Sequence, residues 1–439
     1  MPLFTSVPLT RFFGPAALSV CLFAVCLTLF GAGPARAACA GGDLCAGDRI
    51  GPENVEASLD RRFHGQALRD LLPERLLWQI REYGLTLTLA DPRPHDVDPR
   101  FAESTRRYSK DVVLDPETGE ISGWTAGIPF PDVSGDDPQA ALKIIWNVAR
   151  GRNWGDTVSQ PYTVFLLING GSGLERVQNW LYRRYAMKGL LRAGGSPARG
   201  DGDVFAKTML FAMAPQDIKG VGTFNIIYDT GKFDDTWAYV REVRRTRRLA
   251  GSSWRDAIGS TDLIADDFAG FSAYPTWYDG FELVGERTIL AVANSKTELW
   301  RMDGGTPTES YPGIDVDKPP YWNLQDHWEP RDVYVLKAYP PEDHPYGSRL
   351  LHIDKQSYAP LFNVIADKSG ELWKIQTIGA RQFPTEDDPK GSVVFDVFDN
   401  MIDYQRNHAT VYLTGPELLF NVPFDEGDVS LAAMETIGR

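Results

Sequence analysis

The second half of the chain is a succession of short segments with the two-residue alternation of β-strands. They are VFAKTMLFAM, VGTFNIIYD, TWAYVREVRRTRRL, FELVGERTILAVA, RDVYVLKAY, RLLHID, APLFNVIAD, GELWKIQTI, SVVFDVFD and ATVYLT. The breaks between them, such as APQDIKG, DTGKFDD and DKSG, carry the Asp, Gly and Pro residues typical of tight reversals. This pattern predicts a mainly β (α+β) protein built on a large antiparallel sheet.

The first half of the chain combines helix and strand patterns. Helical apolar spacing predicts helices within 67–84 and 137–151. The apolar strand that begins at residue 162 meets the Gly-rich break NGGSG, after which either a crossover helix or a returning hairpin strand can follow. The antiparallel character of the later chain favours the hairpin.

The loop RAGGSPARGDGD is the best candidate boundary within the chain. We therefore expect a mixed α/β part over 38–202, packed on and continuous with a sheet-forming part over 203–439. The stretches 251–281 and 301–330 are predicted to be long loops or short helices that cover a sheet face.

The first 37 residues have the three parts of a secretory signal peptide. Arg11 is followed by an apolar core over 16–30 and by the small-x-small sequence ARA over 35–37. The alternative is a membrane anchor, because the apolar run approaches the roughly 20 residues of a spanning helix. The GAGP stretch breaks the helix before the cleavage pattern, which favours a cleaved signal over 1–37 and a periplasmic protein, either soluble or peripheral to the outer membrane.

Two of the four cysteines lie in the predicted signal, which leaves Cys39 and Cys45 in the mature chain. In an oxidising compartment this pair favours a disulfide that closes a short N-terminal loop. The alternative is lipidation of Cys39, but Arg36 stands where lipoprotein signals normally carry an apolar residue.

Composition and spacing argue against several function classes. The loss of Arg11 and Arg36 with the signal changes the formal net charge from −14 to −16, which speaks against nucleic-acid binding. No two of the six histidines have the spacing of metal ligands, and NGGSG lacks the pattern of a phosphate loop. We therefore predict no catalytic residues, no metal and no cofactor, and we rank an exported hydrolase below binding functions.

The stretch RLLHIDKQSYAPLFNVIADKSGELWKI sets four polar side chains within seven residues, which raises the question of an active site. Strand alternation divides it into three strands and two turns, so His352, Asp354, Lys355 and Tyr358 are interpreted mainly as turn chemistry. Replacement of His352 is then expected to cost little.

The segment REVRRTRRL concentrates positive charge in an acidic chain. Its arginines are Arg241, Arg244, Arg245, Arg247 and Arg248. Such residues either pair with surface carboxylates and protect a strand edge, or dock an acidic partner or anionic lipid headgroups.

Residues 205–253 resemble an exported family of unknown function that is similar to the outer-membrane lipoprotein-sorting (LolA/LolB-like) proteins. The shared pattern is a strand ending near a proline, a lone glycine, an Asp-x-Trp-x-Tyr strand, an Arg-rich end and a Ser-rich turn. It is carried here by Pro215, Gly220, Asp235, Trp237, Tyr239, Arg245, Arg248, Ser252 and Ser253. The stretches GWTAGIPFP and KIIWN resemble the family's N-terminal features, so the resemblance runs from about residue 50 to the end.

This resemblance implies a curved antiparallel sheet that forms an incomplete barrel, with helices and loops over an apolar concave face. It implies a non-enzymatic carrier or chaperone for a lipid, an acyl chain or another hydrophobic ligand, working with an inner-membrane transporter or outer-membrane protein. The alternative is an accessory subunit without a ligand of its own. Candidate cavity residues are Trp124, Phe130, Trp146, Trp237, Tyr239, Phe271, Trp277 and Tyr278.

Overall fold

The computed structural model describes residues 42–191, 195–240, 244–303, 306–307 and 310–438. Residues Ala40–Arg439 make up one compact unit. The predicted signal peptide and Cys39 lie outside the described residues, so cleavage and the Cys39–Cys45 disulfide stay predictions.

The α-helices of the described residues are short. They are α1 Val55–Ser58, α2 Leu68–Leu71, α3 Leu76–Tyr83, α4 Pro99–Tyr108, α5 Ala140–Arg150 and α6 Leu431–Ile437. The helix predicted over 67–84 forms as two pieces around Pro73, and the one predicted over 137–151 forms as α5. None of these helices has the length and apolar character needed to cross a membrane.

Strands dominate the chain. The first twelve are β1 Arg49–Ile50, β2 Arg62–Phe63, β3 Gln66–Ala67, β4 Leu87–Leu89, β5 Val113–Leu114, β6 Ile121–Ser122, β7 Thr157–Asn169, β8 Gly173–Ala186, β9 Val204–Ala214, β10 Gly222–Tyr228, β11 Asp235–Val240 and β12 Arg245–Arg248. The others are β13 Gly280–Ala291, β14 Met302–Asp303, β15 Thr306–Pro307, β16 Ile314–Asp315, β17 Asn323–Leu324, β18 His327–Tyr339, β19 Ser348–Asp354, β20 Pro360–Ala366, β21 Leu372–Pro384, β22 Ser392–Asp403, β23 His408–Thr414 and β24 Leu419–Phe420.

A 16-stranded sheet carries the fold, in the order β1-β4-β18-β19-β20-β21-β22-β23-β7-β8-β9-β10-β11-β12, with β13 beside β18 and β24 beside β7. Because this order has two ends, the sheet does not close into a barrel. The family resemblance implied such an incomplete barrel. The hairpin is confirmed, because β7 and β8 pair antiparallel. The sheet is nevertheless mixed and not purely antiparallel, since β4 and β18 run parallel.

Both faces of the sheet are covered. Val164 and Leu166 of β7 belong to a core that includes side chains of α1, α2 and α3, whereas Phe165 and Leu167, on the alternate positions, face the other side. That second face, which we call the cover face, packs against α5 and against residues 251–278. We call residues 251–278 the covering segment.

The covering segment contains turns of 3-10 helix and no regular strand. Trp322 and Leu324, from the other stretch predicted to cover the sheet, pack on the opposite face. The two predicted covers therefore lie on different sides of the sheet.

The crowded polar stretch forms β19, β20 and β21, so the predicted three strands are confirmed. The expectation that His352 matters little is wrong, however. Its side chain is fully buried, with Nδ1 2.8 Å from the Phe362 carbonyl oxygen and Nε2 2.6 Å from Glu74 Oε2. Asp354 caps the following turn, as predicted, but also pairs with the buried Arg331 guanidinium at 2.9 and 3.1 Å.

Candidate functional site: a pocket beneath the covering segment

A pocket lies between the cover face and the covering segment, with an empty volume of about 530 Å³ that includes its open part. Its floor comes from five neighbouring strands, β22, β23, β7, β8 and β9, and its roof from the covering segment. The lining residues are Gln160, Thr163, Phe165, Tyr182, Leu210, Ile258, Leu263, Phe268, Ala269, Phe395, Asp396, Asp399 and Tyr412.

Aromatic and aliphatic side chains make up most of the lining. Phe165 and Tyr412 meet edge to face, with ring centroids 5.5 Å apart. Tyr182 on the floor lies 5.3 Å from Phe268 of the roof, again between ring centroids. These contacts put apolar surface on both walls, which suits an apolar or amphipathic molecule.

Two carboxyl groups interrupt this apolar lining. In a regular strand, Asp396 and Asp399 would point to opposite faces, because they are three residues apart. A bulge in β22 prevents this: Gly379 pairs with Phe398 while the next residue, Ala380, pairs with Asp396. Both acids consequently reach the same pocket, an example of a bulge that redirects a side chain.

The surroundings of the two acids disfavour their ionised forms. Burial raises the pKa of Asp399 well above its ordinary value, and the neighbouring Asp396 adds to the effect. Burial also raises the pKa of Asp396, to about 6, although Arg152 opposes the shift. The Arg152 guanidinium lies 3.8 Å from Asp396 Oδ1 and is itself buried, which lowers its own pKa. The pocket therefore holds two acids whose protonation depends on what lies beside them.

The polar groups on the β7 side of the pocket are already paired. Gln160 Nε2 donates to the Tyr412 hydroxyl at 2.7 Å, and the Thr414 hydroxyl donates to the Asp396 carbonyl oxygen at 2.8 Å. Burial raises the pKa of Tyr412 to about 12. These groups fix the pocket floor and stay neutral at physiological pH.

Buried charges hold the covering segment on the sheet. Arg349 of β19 is fully buried and lies 2.8 Å from Asp266 Oδ2 and 3.3 Å from Asp267 Oδ1. Its Nη2 also donates to the Gly270 carbonyl oxygen at 2.6 Å. Burial alone would raise the pKa of Asp266, but Arg349 and His344 hold it below its ordinary value.

A second anchor lies at Asp262. Its backbone N–H donates to the Thr410 hydroxyl at 2.9 Å, and its Oδ2 lies 2.6 Å from His408 Nδ1. Lys374 Nζ donates to its carbonyl oxygen. The hydrogen bond to Asp262 raises the pKa of His408. The roof is thus attached by directional polar contacts on either side of the apolar residues that line the pocket.

The structure divides the eight aromatic residues predicted to line a cavity among several places. Trp146 belongs to α5 and shares an apolar cluster with Phe130, and Trp124 lies against Phe205 with ring centroids 5.9 Å apart. Phe271, Trp277 and Tyr278 belong to the covering segment and pack on the sheet. Trp237 and Tyr239 pack under α6 at the far end of the sheet.

None of these eight residues is among the side chains that line the pocket described above. Their role as ligand contacts stays a prediction.

The predicted arginine cluster lies at the edge of the sheet. Arg245, Arg247 and Arg248 are exposed on β12, the last strand of the sheet order, and Arg244 is exposed in the preceding turn with φ of +49°. Arg248 pairs with Asp235 of the neighbouring strand. Arg241 lies outside the described residues.

A second cleft of similar size lies outside the covering segment. It is lined by residues that include His95, Phe101, Arg152, Gln356 and Val393. Arg152 thus borders this cleft while it faces Asp396 of the pocket beneath the covering segment. Within the described part of the chain, no group of three or more His, Cys, Asp or Glu side chains is arranged to hold a metal ion.

Comparison with known proteins identifies a family. The model of a protein family of unknown function, DUF1329, matches residues 53–420. None of the curated proteins matches the chain.

Several solved structures are similar to this chain at low identity and low TM-score. A DUF1329 family protein from Desulfovibrio piger is 16% identical, with a TM-score of 0.43, over 64% of this chain and 92% of that one. A LolA superfamily protein from Nitrosomonas europaea is 12% identical, with a TM-score of 0.39, over 67% and 98%. A Vibrio parahaemolyticus domain named for outer membrane lipoprotein sorting is 19% identical, with a TM-score of 0.43, over 68% and 99%. Because the family model spans most of the chain, this protein belongs to the DUF1329 family, whose function is unknown.

Proposed function

We propose that this protein is an exported, non-enzymatic carrier that binds an apolar or amphipathic molecule in the pocket between the cover face and the covering segment. The observation that supports this most is the apolar lining on both walls of that pocket. Transfer of apolar ligand surface from water into such a space is favourable by about 25 cal/mol per Å². The signal pattern of the first 37 residues supports a periplasmic location for this activity.

The construction of the roof supports a carrier. Its apolar residues cover the ligand space and pack on the sheet, and a few polar groups anchor it, chiefly Asp262, Asp266 and Asp267. A roof of 3-10 turns shares no strand pairing with the sheet floor, so it can shift without breaking the sheet. Entry and release of a ligand then require only local rearrangement.

Binding of a fluorescent apolar probe, N-phenyl-naphthylamine, tests the proposal. A Leu210→Glu variant places a third acid on the pocket floor beside Asp396 and Asp399, and we expect it to weaken probe binding by about tenfold or more, because a buried charge without a counterion is costly. Val284→Glu is the matched control, since Val284 is 56% exposed and lies outside the pocket. Equal weakening by the two variants, or no probe binding to the unaltered protein, would contradict a ligand-binding role.

The edge strand β12 favours a second candidate function, docking of an acidic envelope protein. Its backbone forms the end of the sheet, and its exposed arginines supply positive charge in an otherwise acidic chain. Unpaired strand edges and complementary charge are common features of recognition surfaces. This function does not require an occupied pocket.

Co-purification from envelope extracts tests the docking surface. The test variant replaces Arg244, Arg245, Arg247 and Arg248 by Gln, and the control variant replaces the exposed Arg61, Arg62, Arg106 and Arg107 by Gln. Both variants lose the same charge, but we expect only the first to lose its partner, because specific contacts depend on the location of charge. Equal recovery of the partner by the two variants would count against the idea.

A further inference from the structure

Two acidic oxygens in the pocket, Asp399 Oδ1 and Asp396 Oδ1, accept no hydrogen bond from the described residues. Asp399 is only 5% exposed, and its Oδ2 accepts a hydrogen bond from Gln376 Nε2 at 2.7 Å. Among the described residues, none donates to its other oxygen, Oδ1. Buried polar atoms without partners are uncommon in proteins, because each one costs the desolvation energy of the group.

The position of Asp399 directs this oxygen to the pocket. On the sheet, Asp399 lies between Ile378 of β21 and Tyr412 of β23, and it shares the pocket lining with Tyr412. Gln376 holds the carboxyl group in place, because its amide nitrogen also donates to the Asp267 carbonyl oxygen in the roof. The orphaned oxygen is therefore a fixed acceptor at the edge of an apolar space.

A second acid lies in the same pocket. Asp396 is also 5% exposed, and its Oδ1 has only the Arg152 guanidinium, at 3.8 Å, as a charged neighbour. Two acids and one guanidinium leave one negative charge without a counterion when both acids are ionised. A ligand with one positive charge and hydrogen-bond donors restores the balance.

We propose that the pocket is specific for amphiphiles that carry an ammonium group, which donates to Asp399 Oδ1 while the apolar body lies against Phe165, Leu210 and Phe268. This inference rests on the proposed carrier function and names its ligand class. The ammonium would stabilise the ionised form of Asp399, which burial disfavours. An amphiphile with a carboxylate would instead add a further acid beside Asp396 and Asp399 without a counterion, and one with a hydroxyl would form a weaker, uncharged hydrogen bond.

Binding of decylamine, decanol and decanoate, measured by calorimetry at neutral pH, tests the head-group preference. We expect the unaltered protein to bind decylamine at least about tenfold more tightly than decanol, and decanoate most weakly, because charge-assisted hydrogen bonds contribute more than neutral ones. The Asp399→Asn variant should lose the preference for the amine and keep its affinity for decanol. The control is Asp332→Asn, which removes an exposed acid outside the pocket and should change neither.

The outcomes separate this inference from the function on which it rests. If decanol binds and the amine has no advantage, or if Asp399→Asn keeps the advantage, the ammonium specificity is wrong and the carrier function stands. If none of the three probes binds, both are wrong. Should Asp399→Asn fail to fold, the head-group order in the unaltered protein decides the question alone.

Discussion

Replacement of Arg349 by leucine is expected to destabilise this protein by about 3–5 kcal/mol, the usual cost of removing one partner from a buried charge network. Asp266 and Asp267 would stay behind, buried and without their guanidinium. Burial alone would lower the pKa of Arg349, but Tyr278, Asp266 and Asp267 together raise it, so the folded protein strongly favours the charged form. The measurement is the free energy of unfolding from denaturant titration.

We expect the Arg349→Leu replacement to loosen the covering segment before it unfolds the whole protein. Arg349 also holds the Gly270 carbonyl oxygen, so its loss should release the covering segment and speed amide hydrogen exchange over residues 262–270. Arg245→Leu, the same substitution at an exposed position of β12, is the control and should change stability by no more than about 0.5 kcal/mol. A loss below about 1 kcal/mol for Arg349→Leu would mean that these charges do not hold the roof.

The strands of the second half could be predicted well because the signals for each strand lie within the strand and the turns beside it. Alternation and turn residues mark β19, β20 and β21 without reference to the rest of the chain. The position of β7 between β23 and β8 depends instead on pairing between residues far apart in sequence, such as Leu166 with Val411. No local pattern carries that information, so the order of the sheet could not be predicted.

The pocket was missed for a related reason. Asp396 and Asp399 stand in the segment SVVFDVFD, which was correctly predicted to be a strand. Their spacing of three residues indicates opposite faces unless a bulge intervenes, and the bulge in β22 became visible only from its pairing with β21. The available signal was the presence of two acids in an otherwise apolar strand, since unpaired acids are rarely buried.

His352 shows the same limit on a smaller scale. The alternation of residues around His352 predicted a strand there. The side chain that pairs with His352 belongs to Glu74, which lies in a distant part of the chain. Burial opposes ionisation of Glu74, but the His352 ring overcomes it and lowers the pKa of the carboxyl to about 2. A histidine at a strand position can thus be structural, and only its partners show this.

The Asp399→Asn variant is expected to be more stable than the unaltered protein at pH 7, because a buried acid without a charged partner is costly to ionise. Its folded pKa is raised above the ordinary 3.8, mainly by burial and then by Asp396. The folded state therefore binds this proton more tightly than the unfolded state, and stability falls as pH rises above 3.8 until the folded pKa is passed. Asparagine cannot ionise in either state, so this penalty disappears.

The sign of the pH dependence makes the prediction specific. The difference in unfolding free energy between the variant and the unaltered protein should vanish below about pH 3.8 and grow as the pH approaches 7, as measured by denaturant titration across that range. Asp332→Asn, at an exposed position, should show no such trend. A variant that is less stable at pH 7 would mean that Asp399 is paired and ionised in the fold. If Asp399→Asn is more stable and no longer prefers the amine, the protein keeps Asp399 at a cost in stability. Such a cost is common for groups that serve binding.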